Sequence, residues 1–423
     1  METLSKKIEA ECRVFDGYCR KTGYPTPSSE RTTPTFALPH EAPTEVHVAR
    51  ERIMSYALNL FQLAAGPSEY LANLQTGYHY VACLQWLLRF KIFALVPQQD
   101  QISYSDLAEL AQVDEGRLKS VARMAMTSGL FVEPSPLYIA HSATSALIST
   151  NPNFRDWAMV LCTMSAPTAA AMTEAHAKWP HAKGQTETAY NIAFDHDIDF
   201  FKHLSQSPVL HKQFAGYMRS VTASRGTHMD HLLDGFDWAK LGNGLVVDVG
   251  GSTGQASIAL AREFPEPNFI VQDRAEVAMG GDAYIESLQD SRLAGRITYQ
   301  AHDFFLPQHV IGADVYLLRM ILHDWAFEDS VKILRNIVAA MGKTSRVLIM
   351  DTVLPDPGQA LVAKERLLRV RDMAMMQTFN SLERSLDDWL AILERVDPRL
   401  EIRNIVQPHG SVMSVMEIVL EQD

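Results

Sequence analysis

Cysteine is scarce in this chain: Cys12, Cys19, Cys83 and Cys162 are the only four in 423 residues. They form no CxxC pair and no dense spacing, which argues against a disulfide framework or a zinc site and for a reducing compartment. Positive charge is also in short supply. The 38 Lys and Arg face 50 Asp and Glu, giving a net charge of −12 and a pI near 5.7. General affinity for nucleic acid or anionic membranes is disfavoured on that ground. No run approaches the roughly 18 consecutive apolar residues that cross a bilayer. The opening Met1-Glu2-Thr3-Leu4-Ser5-Lys6-Lys7 leads into an amphipathic helix, not an apolar leader core. A cytoplasmic protein is expected. Apolar residues at 47% and charged residues at 21% fit an ordinary globular protein with room for two or three domains.

Four stretches differ in pattern. Residues 1–45 read as a helix to about residue 20, then a polar linker, Thr22 to Thr44, rich in Pro, Ser and Thr with little to bury. Residues 46–150 begin with long helical patterns, Val46 to Ala65 and Ser68 to Phe93. A helix Tyr104 to Ala111 capped by Ser103 follows, then a helix Glu115 to Ser128 capped by Asp114. A hairpin of 129–133 and 137–140 closes the stretch. Helix, helix and hairpin make a winged-helix pattern. Its functional reading would be DNA binding, but Asp106, Glu109, Asp114, Glu115 and Glu133 outnumber Arg117, Lys119 and Arg123 across residues 101–150. With no basic stripe, a dimerisation or structural role is expected instead. Residues 151–240 read as connecting helices, methionine-rich around Met159 to Met172, that line a substrate pocket. Residues 241–423 alternate strands and helices. The strands are expected at 245–249, 268–272, 297–301, 313–318 and 346–350, with a closing pair at 400–405 and 411–420. The class is therefore α/β, a mostly parallel sheet closed by a hairpin.

The chemistry concentrates in that last stretch. Leu245 to Val249 is a β-branched strand running into Gly250-Gly251-Ser252-Thr253-Gly254 and then a helix, the opening unit of a nucleotide-binding fold. Three readings compete. A dinucleotide fingerprint fails, because the glycines occupy positions 1, 2 and 5 of the run. A nucleophile elbow fits GxSxG literally, with Ser252, Asp303 and His323 in hydrolase order. The remaining reading is a site for S-adenosylmethionine. It uses Asp248 at one strand end, the glycine turn, and Asp273 at the next strand end, 19 residues beyond Gly254, to bind the ribose hydroxyls. Asp303-Phe304 follows the third strand, where a carboxylate and an aromatic can hold adenine. His323, in Leu322-His323-Asp324-Trp325 at another strand mouth, is a candidate general base. Asp351 and Glu383 are candidates to orient its ring.

In this order, Asp248 to Gly254, Asp273, Asp303-Phe304, Leu322-His323-Asp324-Trp325, Asp351-Thr352-Val353-Leu354-Pro355 and Leu382-Glu383-Arg384-Ser385 resemble the S-adenosylmethionine-dependent O-methyltransferases. The likeness is to the plant caffeate/flavonoid type and its fungal secondary-metabolism relatives, from about residue 60 onward. The resemblance implies a Rossmann-like seven-stranded class I methyltransferase domain preceded by a helical region with a winged-helix dimerisation unit, in a homodimer without metal. It places the cofactor on Asp248, Gly250, Gly251, Gly254, Asp273, Asp303, Phe304 and Arg319. It makes His323 the base for a hydroxyl of a small aromatic or polyketide-derived metabolite, held by Asp351 and Glu383. Two departures stand out: Ser252 replaces a glycine, and Asp351 replaces a Glu. Some fungal relatives bind S-adenosylmethionine yet catalyse dehydration and pericyclic closure in pyridone-type pathways. For that alternative this chain offers His141 and Arg319, although His141 also reads as a histidine packed under the wing.

Overall fold

Buried, β-branched runs separated by amphipathic helices give a seven-stranded sheet in the computed structural model, which describes residues 1–421. The strand order across the sheet is Leu400–Val406, Ser414–Leu420, Arg346–Asp351, Val315–Arg319, Leu245–Val249, Asn268–Asp273, Ile297–Ala301. Neighbouring strands are parallel except Ser414–Leu420, which is antiparallel to both its neighbours. Side chains alternate between faces as the strand period requires. Val246, Val315, Leu317, Leu348 and Met350 pack into one buried layer, and Val247, Val249, Tyr316, Leu318, Val347 and Ile349 into the other. The central strands are thus covered on both sides, the usual condition of a parallel sheet. Strand order reverses between Leu245–Val249 and Val315–Arg319, so a crevice opens at their carboxyl ends, where open α/β sheets bind ligands.

The chain divides into two compact units. The sheet belongs to the one built from Trp179–Thr188, Thr222–Gln359 and the residues from Leu367 on. The other comprises Met1–Lys178, Ala189–Val221 and Ala360–Arg366 and is mainly helical. Its first helix, Glu2–Thr22, ends on Gly23 in the left-handed conformation. Contrary to expectation, the polar linker does contribute to a core: Leu38 and Ala42 are buried with Phe15, Cys19 and Val46. The long pattern from Ser68 breaks where Lys91 takes a φ of 58°, between helices Tyr70–Arg89 and Ile92–Leu95. Helices Tyr104–Ala111 and Glu115–Met126 carry the expected caps, Ser103 accepting from the Asp106 amide and Asp114 from the Arg117 amide. The hairpin strands, Val132–Ser135 and Tyr138–Ala140, gain a third antiparallel partner, Ile102–Ser103. A π-helical turn, Leu161–Ser165, interrupts the methionine-rich segment.

Candidate active site

The glycine loop leaves strand Leu245–Val249 and caps helix Gln255–Glu263. Gly250 has a φ of 73°, and a Cβ there would come within 2.6 Å of Ile321 Cδ1. A Cβ on Gly251 would lie 2.6 Å from Asp248 Cγ and 2.8 Å from Val271 Cγ1, so the loop's close approach to its own strand requires the missing side chain. Ser252 takes a φ of 52°, a left-handed conformation that explains why glycine suits this position and that costs on the order of 1 kcal/mol for serine. Its amide donates to Asp273 Oδ2 at 2.8 Å, while Asp273 Oδ1 accepts from the Arg274 amide. Asp273 therefore closes the loop from the adjacent strand end. Asp248 is buried and accepts from Ser257 Oγ at 2.7 Å; burial pushes its carboxyl up to about 6 against that bond and the charge of Arg319. Asp303 is exposed, one oxygen accepting from the Phe305 amide. Phe304 and Phe305 both meet Trp325 edge-on, with centroids 5.6 and 4.6 Å away.

That aromatic contact joins the third strand end to the turn that carries His323. The imidazole is buried, its side chain 7% exposed. Its Nδ1 lies 3.1 Å from Glu383 Oε1 and its Nε2 lies 3.6 Å from Asp324 Oδ1. Burial alone would pull the ring below its ordinary value. The charges of Glu383, Asp324 and Asp351, with the Glu383 hydrogen bond, outweigh burial and hold it above. Burial opposes ionisation of Glu383 as well, but His323 and Arg371 keep its carboxyl low. Asp351 is fully buried, and neither oxygen has a hydrogen-bond partner among the described residues. Its carboxyl is pushed up to about 7 by burial, with the charge of His323 pulling the other way. Asp351 thus acts on the ring through its charge, whereas Glu383 touches it.

The backbone of the turn is held as firmly as the ring. Arg384, beside Glu383, donates to Leu322 O at 2.7 Å, to Trp325 O at 2.6 Å and to Ser330 Oγ at 3.0 Å. Ser381 Oγ also donates to Trp325 O, and Gln185 donates to Asp324 O. Arg319 donates to Thr227 O at 2.8 Å, and burial lowers its guanidinium to about 10 despite Asp248 and Asp351.

Most residues singled out in the sequence within the sheet-bearing unit therefore form two groups. Asp248, Gly250, Gly251, Gly254 and Asp273 shape the loop; Asp351 and Glu383 act on the His323 imidazole, while Asp303, Phe304 and Arg319 belong to neither. The donor set suits S-adenosylmethionine: a carboxylate at a strand end for the ribose, a side-chain-free loop, and an aromatic beside Asp303 for the base. His141 lies in the helical unit, 4% exposed. Its Nδ1 is 3.0 Å from Ser145 Oγ, its Nε2 is 3.3 Å from Gln98 Nε2, and its ring stacks on Phe131. These partners fit the packed reading. Asp324, Arg371 and Arg384 were not singled out as site residues. The first and last stand inside quoted motifs; Arg371 carries no motif signal.

An O-methyltransferase domain family matches residues 175–396. The O-methyltransferase aoiF of Aspergillus oryzae is 51% identical over 419 residues, covering 99% of this chain and 99% of that protein. Among solved structures, OxaC is similar at TM-score 0.78 and 21% identity, over 99% of this chain and 98% of that one. The complex of LepI with SAM is similar at TM-score 0.74 and 21% identity, over 99% and 100%.

Proposed function

The chain belongs to the O-methyltransferase family, and from that premise we propose that it methylates a hydroxyl of a small aromatic or polyketide-derived metabolite, with His323 as general base. The observation that carries this reading is the buried His323–Glu383 pair at the strand mouth next to the glycine loop. S-adenosylmethionine supplies an electrophilic methyl on a sulfonium. Gly250, Gly251 and Asp273 would hold it, with Asp303 and Phe304 at the adenine. Glu383 keeps the Nδ1 proton of His323 and leaves Nε2 to take the acceptor's proton. Asp351 and Asp324 stabilise the imidazolium so formed through their charge. Arg384 and Ser381 fix the turn, so the ring does not have to be reorganised during the reaction. No metal is needed for such a transfer.

A homodimer is part of the same proposal. Leu71, Leu74 and Tyr78 lie at helical spacing on Tyr70–Arg89 and are 69%, 56% and 59% exposed, a continuous apolar face on a soluble helix. Light scattering of Leu74→Asp against the parent protein tests it: loss of the dimer is the expected outcome, and an unchanged mass excludes this face.

The reaction is tested by incubating the purified protein with S-adenosylmethionine and an extract of cells that lack it. A product heavier by one methylene, with matching S-adenosylhomocysteine, is expected. An isomerised or dehydrated product with S-adenosylmethionine unconsumed would overturn methyl transfer and direct attention to His141 and Arg319.

A further inference from the structure

Glu383 Oε1 has two partners. His323 Nδ1 approaches it at 3.1 Å, and Arg371 Nε, from helix Val362–Phe379, donates to the same oxygen at 3.3 Å. The neighbouring Asp372 accepts from the Glu383 amide at 3.1 Å, so one turn of that helix grips both the side chain and the backbone of this residue. The Arg371 side chain retains 22% exposure, whereas that of Glu383 has 1%. The guanidinium is therefore placed between solvent and the carboxylate that supports the base.

We propose that Arg371 is a positioning residue that divides the Glu383 carboxylate with His323 and so weakens the hold of the imidazole on its proton. The proposal rests on the reading of His323 as the base. The charges around the ring are few enough to follow. Asp324 on its own turn, Asp351 on strand Arg346–Asp351 and Glu383 favour the imidazolium. Three arginines act on those carboxylates, Arg384 on Asp351 and Glu383, Arg319 on Asp351 and Arg371 on Glu383, and Asp372 lies behind Glu383. Among the cations of the described residues only Arg371 shares the oxygen that binds Nδ1. Its removal frees that oxygen for the ring and takes a positive charge from the neighbourhood; both changes favour the protonated imidazole.

The test is an NMR titration of His323 in the full-length protein with S-adenosylhomocysteine bound, the signal assigned by difference against His323→Gln. Arg371→Met keeps the aliphatic stem and removes the charge. It is expected to raise the His323 midpoint by about 1 unit, with Arg371→Lys restoring most of the original value. In a Glu383→Gln background the same Arg371→Met change is expected to shift the midpoint by less than half as much. An unchanged or lowered midpoint in Arg371→Met would overturn the proposal, as would an undiminished shift in the Glu383→Gln background. Should Arg371→Met not fold, Arg371→Gln takes its place with the same expectation. None of these readings requires methyl transfer to occur, so a failure here leaves the proposed reaction standing and is distinguishable from a failure of that reaction.

Discussion

His323 and Glu383 are sixty residues apart in sequence and meet through a 3.1 Å contact from Nδ1 to Oε1, with both side chains out of solvent. In the proposed reaction this contact keeps a proton on Nδ1 and leaves Nε2, 3.6 Å from Asp324 Oδ1, as the nitrogen that accepts one. His323→Gln removes the base while keeping a polar side chain of similar reach. Turnover is expected to fall roughly 10²–10⁴-fold, with affinity for S-adenosylhomocysteine little changed. Glu383→Gln can present its amide NH₂ to Nδ1 and reverse the tautomer, so a loss of similar order is expected. Product formation and calorimetric binding measured on the same preparations check both. A parallel loss of cofactor affinity would instead mark the pair as structural.

The acid groups around the ring set the pH at which the base is free. His323 is held above its ordinary value of roughly 6.5, so turnover is expected to climb about tenfold per unit through neutrality and level off above the raised value. The sign for stability is opposite. A group whose folded value is raised contributes stability below its unfolded value and loses that contribution as pH rises through the folded one. A pH–rate profile at saturating S-adenosylmethionine, compared with thermal unfolding across the same range, should show activity rising while stability declines. A profile already flat below pH 6 would exclude His323 as the titrating base.

Much of this arrangement is legible before any coordinates. The strand ends expected at 249, 272, 301, 318 and 350 lie within one residue of those observed at 249, 273, 301, 319 and 351, because each run of apolar residues is legible by itself, whereas the strand order that opens the crevice is not. The caps at Ser103 and Asp114 are legible too, because a cap is a local interaction. What escapes is contact between residues distant in sequence. Nothing about Arg371 in Leu368-Arg369-Val370-Arg371-Asp372 indicates that its guanidinium reaches Glu383. Nor does sequence say that Asp351 stops short of a hydrogen bond while Asp324 approaches Nε2. The short strand Ile102–Ser103 has too few residues for a periodic signal and exists because Tyr138–Ala140 offers it an edge.

Asp351 offers a separate test through stability. It is fully buried, and both its oxygens are without partners among the described residues. Its folded value is pushed up to about 7, above an unfolded value of roughly 4. Its contribution to stability is thus fully present below pH ~4 and is lost as pH rises through about 7. Asp351→Asn keeps the shape and cannot ionise. Relative to the parent protein, its melting temperature is expected to rise with pH, gaining about 2–4 °C for each kcal/mol of relief between pH 5 and pH 8. Differential scanning calorimetry at both values checks it; a gap independent of pH would mean that Asp351 stays ionised throughout.

The glycine loop makes the last prediction, because its first two glycines fail for different reasons when substituted. Gly250 has a left-handed φ of 73°, so alanine there strains the backbone as well as meeting Ile321. Gly251 has no such φ; alanine there is excluded only by Asp248 and Val271, both buried and unable to withdraw. The cost of Gly251→Ala is therefore overpacking, about 1–3 kcal/mol, and the loop relieves it by lifting away from strand Leu245–Val249. Lifting breaks the bond from the Ser252 amide to Asp273 and moves the carboxylate assigned to the ribose. S-adenosylhomocysteine affinity is expected to drop at least tenfold in Gly251→Ala, and Asp273→Asn is expected to match that loss without the fall in stability. Calorimetric titration of both variants with S-adenosylhomocysteine separates the two. Retained affinity in Gly251→Ala would mean that the loop yields without disturbing Asp273, and the ribose assignment would then rest on Asp273→Asn alone.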